Sequence, residues 1–257
     1  MNTQTTYEFP LNERIRVFMR LEQLFEQLDH FMAGNSVFDK RAAIDTLLDI
    51  LTIFSRSDLK SELIKELERH AKVLSQLSNS QDVDNEKLQE VLAELGQASR
   101  NLYNNSGKIG ASVLESGLFQ SISQRSSIPG GSCSFDLPAF HYWLEQEPAT
   151  QQMDLQHWTQ PFGDIRIAVN LILGFIRQSS VPKQEIAPAG FFQSSLDKAV
   201  HPVQLLRVSV PSSVPCFAEI SGGKHRFSIR FMQPSTDENR PVQTQDDITF
   251  TLARCAV

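Results

Sequence analysis

Apolar residues recur at helical spacing along the first hundred residues of the chain. Asn12 is predicted to cap the first helix, which ends near Gly34, and Ser57-Asp58 and Asp84 are predicted to begin the third and fourth. Each stripe is apolar on one side only, so we expect the four helices to pack as a bundle. The stripes comprise Ile15, Phe18, Met19, Phe25 and Leu28; Ala43, Ile44, Leu47, Leu48, Leu51 and Phe54; Leu59, Leu63, Leu67, Leu74 and Leu77; and Leu88, Val91, Leu92, Leu95 and Leu102.

The middle of the chain mixes turn signals with shorter apolar segments. A turn at Ser127–Gly131 precedes Cys133–Leu137, which is predicted to be a short strand that stops at Pro138. Ala139–Gln146 and residues 163–178 are predicted to be helices, the second of them buried.

The pattern changes to an alternation of period 2 after Ser180. Short apolar alternations lie between prolines and glycines, which is typical of an antiparallel sheet or sandwich. The sequence therefore predicts an α+β protein with a helical domain over residues 1–180 and a β-rich domain over residues 181–257. The predicted strand near 132–137 is a candidate addition to the β domain.

One predicted strand carries a row of cations. Side chains alternate between the two faces of a strand, so Lys224, Arg226, Ser228 and Arg230 share one face, and His225, Phe227, Ile229 and Phe231 share the other. Two interpretations stay open at this point. The cationic face is a solvated strand face, or it is a site for an anion or an acidic peptide.

Composition narrows the class of protein. The 257 residues carry a formal charge of −6, concentrated in the N-terminal two-thirds, which argues against nucleic acid as the main partner. Three widely spaced cysteines fit a reducing cytoplasm. The polar N-terminus does not resemble a signal peptide, and the most apolar window, Ile165–Ile176, is too short to span a membrane.

No catalytic or metal-binding motif is recognised in the chain, and we expect no cofactor. The six histidines do not have the spacing of a known metal site. Cys133 with His141 is the best candidate for a nucleophile and base, and it keeps a small-molecule enzyme open as an alternative. A nucleic-acid binder that uses the cationic strand is a third hypothesis.

Several segments together resemble the ZapD family of cell division proteins. The run Ser127–Pro138, which reads S-I-P-G-G-S-C-S-F-D-L-P, is the most specific of them, and the resemblance spans nearly the whole chain. The other matching segments are Glu8–Glu13, Glu62–Arg69, His141 with Trp143-Leu144, Ile176–Ser179 and Ile220–Met232.

The resemblance implies a cytoplasmic, non-enzymatic homodimer. The helical stripes of residues 15–102 offer more apolar surface than one small bundle needs, so we expect dimerisation through the helical domain. It also implies binding to the tubulin-like division protein FtsZ, bundling of its filaments and support of the division ring at mid-cell. The family's basic pocket for the C-terminal tail of FtsZ falls on Lys224, Arg226 and Arg230, and its charged positions in the helical half fall on Arg20, Arg56 and His141.

One position departs from the family pattern. The family leads us to expect a basic residue where this chain has Gly117. The helical-side contact is then either lost or left to Lys108 and Arg125.

Overall fold

A computed structural model describes residues 3–56, 58–76, 84–105, 107–196, 202–223, 225–234 and 240–256, with Arg56 described only as part of its helix. The chain divides into two compact units, one of residues 1–18 with 172–257 and the other of residues 19–171. Each unit is described separately below.

The unit of residues 19–171 is helical. The boundaries between the units fall within the first and last helices, α1 and α9. The helices are α1 (Glu13–Ala33), α2 (Val37–Arg56), α3 (Leu59–Ser75), α4 (Asn85–Asn104), α5 (Ala111–Leu114), α6 (Gly117–Arg125), α7 (Pro138–Leu144), α8 (Pro148–Thr159) and α9 (Gly163–Gln178), with a 3-10 turn at Gln160–Phe162.

The predicted helix starts are confirmed by their caps. Side-chain oxygens of Asn12, Asp58 and Asp84 accept the backbone N–H three residues on, at 2.9, 3.3 and 3.2 Å. These bonds satisfy N–H groups that have no partner within the helix. Ser57 and Leu77, which were part of the predicted pattern, lie outside the described residues.

The strand predicted at Cys133–Leu137 is wrong, because these residues form consecutive turns. The carbonyl of Cys133 accepts the N–H of Asp136 at 3.1 Å and that of Leu137 at 2.9 Å, so it is engaged locally rather than in a sheet. The helix predicted next is confirmed as α7, which buries Phe140, Trp143 and Leu144.

The second unit contains two antiparallel sheets. The first has the strand order β1-β4-β8-β2, and the second has β3-β6-β5 with the short β7 also paired to β6. The strands are β1 (Gln4–Pro10), β2 (Lys183–Ala187), β3 (Phe191–Ser195), β4 (Val203–Pro211), β5 (Phe217–Gly222), β6 (Arg226–Gln233), β7 (Val242–Gln243) and β8 (Ile248–Ala256).

A shared core shows that the two sheets form a sandwich. Alternate residues of β4, β6 and β8 are buried in one cluster with residues of β2 and β5, as expected for strands that each present one face to a core. The α+β class and the antiparallel β-rich part are therefore confirmed. The cluster comprises Ala187, Leu206, Val208, Val210, Ala218, Phe227, Ile229, Phe231, Ile248, Phe250 and Leu252.

The N-terminal strand β1 was not predicted from the sequence. It pairs with β4 in a register that sets Glu8 opposite Arg207. The Glu8 carboxylate accepts hydrogen bonds from Arg207 Nε at 2.8 Å and from Arg177 Nη2 at 2.8 Å. Residues 1–18 therefore belong to the β-sandwich unit, and the domain division 1–180 and 181–257 stays a prediction.

Candidate functional site

The alternation predicted for the cationic strand is confirmed along β6. Arg226 and Arg230 are exposed and Ser228 is half-buried, whereas Phe227 and Ile229 are buried in the core. The sequence pattern also assigned two residues that precede β6, Lys224 and His225, to the two faces of the predicted strand. His225 is exposed rather than turned to the core, because it precedes the first strand residue, and Lys224 lies outside the described residues.

Register with the neighbouring strands extends this surface across the second sheet. Arg226, Ser228 and Arg230 stand opposite Ser195, Gln193 and Phe191 of β3. On β5, Ser221 faces Ser228, and Glu219 faces Arg230. Residues directly opposite in an antiparallel pair share a face. We call this surface the outer face, and it comprises Phe191, Gln193, Ser195, Phe217, Glu219, Ser221, Arg226, Ser228, Arg230 and Met232.

The guanidinium groups of Arg226 and Arg230 make no hydrogen bond or ion pair with any other described residue. Most other described arginines are engaged, including Arg177 and Arg207 with Glu8 and Arg254 with Glu185. A guanidinium on a rigid strand without an internal acceptor keeps all its donors for a ligand. This contrast separates the outer face from an ordinary charged surface.

Two adjoining depressions lie between the strands of the outer face. One, of about 480 Å³, is lined by Arg226, Ser221 and Ser228, among others. The other, of about 390 Å³, is lined by Arg230, Glu219 and the same two serines. Hydroxyl groups therefore lie between the two arginines, where they can hydrogen-bond to an extended ligand.

The predicted helical-side residues lie on three different helices of the other unit. Arg20 is an exposed residue of α1, Arg56 is the last residue of α2, and His141 is an exposed residue of α7. The Nδ1 atom of His141 is 4.0 Å from a carboxylate oxygen of Glu145, the residue that follows α7. Their role in binding stays a prediction.

Gly117 and its proposed substitutes differ in their surroundings. Gly117 is the first residue of α6, and a Cβ added there would meet no atom within 4 Å. Arg125 forms an ion pair with Asp136 at 3.0 Å, so its charge is compensated. Lys108 is exposed and lines a small depression together with Lys60 and Asp58.

The residues of the alternative enzyme hypothesis do not form a nucleophile–base pair in the described structure. The half-buried Cys133 thiol donates a hydrogen bond to a carboxylate oxygen of Asp136 at 3.4 Å, and not to His141.

Among the described residues, no three His, Cys, Asp or Glu side chains form a group that could hold a metal ion. Across the same residues, no helix is both long enough and apolar enough to cross a lipid bilayer.

Sequence reasoning missed two phenylalanines of the outer face that the structure places near Arg230. Phe191 lies opposite Arg230 on β3, and Phe217 lies opposite Met232, two residues further along β6. The alternation of β6 already indicated that Met232 shares the face of Arg230. The two phenylalanines required the strand register.

Comparison with known proteins agrees with the resemblance in the sequence. The family model ZapD, described as a cell division protein, matches residues 19–230. The chain is 48% identical over 255 residues to Cell division protein ZapD of Methylococcus capsulatus, with 99% of each chain covered. It is 39% identical over 251 residues to Cell division protein ZapD of Nitrosomonas eutropha, covering 98% of this chain and 99% of the relative. These names describe cell division and state no catalytic activity. The chain therefore belongs to the ZapD family of cell division proteins, and its role is in division.

Proposed function

We propose that this protein binds FtsZ through the outer face of its second sheet and crosslinks FtsZ filaments as a symmetric homodimer. The observation that carries the proposal is the pair Arg226 and Arg230, whose guanidinium groups have no partner among the described residues. The ligand is the C-terminal tail of FtsZ, and the family resemblance adds Lys224 to the residues proposed to bind it. The protein acts in the cytoplasm at the mid-cell division ring, without catalysis and without a cofactor.

Bivalency converts binding into bundling. A two-fold symmetric dimer presents two identical outer faces, so each face can hold a tail from a different filament. Once one tail is bound, the second face is held close to its own target, and weak single-site binding becomes tight crosslinking. Arg20, Arg56 and His141 supply a second, helical-side contact, in which Lys108 is a better substitute for the missing basic residue than Arg125, which is paired with Asp136.

The test combines tail binding with filament sedimentation. The double variant Arg226→Ala/Arg230→Ala should lose tail binding by about tenfold or more per arginine, since a charge-assisted hydrogen bond contributes about 1.5–3 kcal/mol. It should also fail to pellet bundled FtsZ. Lys183→Ala/Arg240→Ala is the matched control, because it removes two exposed cations of the same unit. Equal bundling by the two double variants would refute the site.

Dimerisation is tested separately. A monomeric variant should bind the tail peptide with unchanged affinity and fail to raise the light scattering of FtsZ filaments. Full bundling by a protein that sedimentation shows to be monomeric would contradict the crosslinking mechanism.

A further inference from the structure

The outer face has an apolar end as well as a cationic end. Met232 and Phe217 are directly opposite each other, and Phe191 lies opposite Arg230, one pleat away from Met232. Diagonal neighbours of this kind are about 7–8 Å apart, within reach of large side chains. Phe191, Met232 and Phe217 therefore form a contiguous group around one side of Arg230.

These three side chains do not belong to the sandwich core. The side chains of β3, β5 and β6 that pack in the core belong to the residues adjacent in sequence to these three, namely Phe192, Ala218 and Phe231. Phe191 keeps 37% of its surface exposed, and Phe217 and Met232 are half-buried. The solvent face of an antiparallel sheet is expected to be polar, so three adjacent apolar residues on it indicate a contact surface.

The two arginines of the outer face are not electrostatically equivalent. Arg230 stands directly opposite Glu219, whose carboxylate partly offsets its charge. Arg226 stands opposite Ser195 on β3. On the β5 side it is paired with Gly223, whose N–H donates to the Arg226 carbonyl at 3.0 Å. The residues that face Arg226 on its two sides therefore carry no carboxylate. The strongest attraction for an anion is therefore at Arg226, the end away from the apolar group.

The spacing along β6 sets the pattern that a ligand must match. Arg230 follows Arg226 by four residues on β6, which is about 13 Å at roughly 3.3 Å per residue. Phe191 stands directly opposite Arg230, so it lies at the same distance along the strand. An extended peptide has the same rise, and its side chains return to the same side every second residue. We infer that the outer face selects an extended peptide that carries an acidic and a large apolar side chain four residues apart on one side. The acidic group binds at Arg226, and the apolar group packs against Phe191 and Met232. This inference rests on the proposed function in taking a peptide as the ligand.

Two isomeric heptapeptides test the spacing. Both are built on threonine, blocked at both ends, and carry one glutamate at the second position. One has phenylalanine at the sixth position, on the same side of the extended chain, and the other has it at the fifth, on the opposite side. Titration of the isotope-labelled full-length protein, followed by NMR, should show at least threefold tighter binding of the first peptide, with shifts on β3, β5 and β6.

Three variants identify the contacts. Phe191→Ser should abolish the preference between the isomers, and Ser195→Ala, on the same face of the same strand, should keep it. Arg226→Ala should weaken both peptides by a similar factor. Equal binding of the isomers to the native protein, or an unchanged preference in Phe191→Ser, would overturn the inference. Tighter binding of a single-stranded thymidine oligonucleotide than of either peptide would also overturn it, in favour of a nucleic-acid site.

The FtsZ tail distinguishes this inference from the proposed function. If the first heptapeptide is preferred but the tail of FtsZ does not bind, the selectivity of the face stands and FtsZ as the ligand is refuted. If the tail binds but the isomers bind equally, the proposed function stands and the spacing rule is refuted.

Discussion

The charge cluster that ties β1 into the sandwich yields a specific prediction for Glu8→Gln. The Glu8 carboxylate is 17% exposed and lies between two guanidinium groups. It accepts from Arg177 Nε at 3.0 Å and Nη2 at 2.8 Å, and from Arg207 Nε at 2.8 Å. Glutamine preserves the shape of the side chain but removes the negative charge. Arg177 and Arg207 are then two neighbouring cations without their shared anion.

The expected loss of stability follows from the burial of the three groups. Removing one partner of a fully buried ion pair costs about 3–5 kcal/mol. The side chains of Arg177 and Arg207 are 25% and 33% exposed, so water screens part of the remaining repulsion. We therefore expect the free energy of unfolding of the sandwich, a unit of about 100 residues, to fall by about 2 kcal/mol, which corresponds to a decrease in Tm of about 8–16 °C.

Thermal unfolding measured by circular dichroism checks this value. Glu13→Gln is the control, because Glu13 is 72% exposed and pairs with Arg16 at the surface, where ion pairs contribute 0 to about 1 kcal/mol. The double variant Glu8→Gln/Arg207→Gln should lose less than the sum of the two single variants, since both disrupt one cluster. A Tm for Glu8→Gln that matches that of Glu13→Gln, or strict additivity in the double variant, would refute the reasoning.

Four further predictions concern the core, pH, the helical side and salt. Phe227→Asp buries an unpaired carboxylate and should unfold the sandwich, whereas Ser228→Asp on the outer face should leave the circular dichroism spectrum native. Burial and then the nearby Arg69 charge lower the pKa of His70 to about 4, although Glu66 is 3.9 Å away. The unfolded chain protonates His70 near pH 6.5, whereas the folded chain does so only near pH 4. The neutral His70 therefore makes its full contribution to stability above pH 6.5. On the order of 3 kcal/mol of the free energy of unfolding should be lost as the pH falls from there towards 4. Urea titrations should find that His70→Gln loses less stability over the same pH range. Gly117→Arg has room for its side chain, so it should fold normally and increase FtsZ bundling in light scattering; lower bundling would exclude a helical-side contact there. Bundling should decrease from 0.1 to 1 M salt as the Debye length falls from about 10 to about 3 Å, and salt-independent bundling would instead indicate an apolar contact.

Local patterns were sufficient for most of the elements. The helices α1 to α4 carry both an apolar stripe and, at Asn12, Asp58 and Asp84, a capping side chain, and these signals act within one or two turns of the chain. The alternation of β6 likewise predicted which side chains of Arg226–Gln233 are buried. In these segments the burial pattern agrees with the local propensity, so a prediction from sequence was reliable.

The same local reasoning gave the wrong structure for Cys133–Leu137. This segment alternates like a strand, but the carbonyl of Cys133 is already engaged by two N–H groups of the same turn. Asp136 is further held by Arg125 at 3.0 Å. Hydrogen bonds within the segment thus replaced the sheet partner that the strand prediction required.

The sequence by itself therefore determined the α+β class, the helical stripes, the cationic face of β6 and the family. The tertiary structure decided that β1 joins the sandwich, because its hydrogen bonds go to β4 almost two hundred residues away. It also decided the composition of the outer face. Phe191 comes from β3 and Phe217 and Glu219 from β5, and only the register of these two strands against β6 brings them beside Arg230. Periodicity reports which side of its own strand a residue occupies, but strand pairing is a contact between distant segments, and no local pattern specifies it.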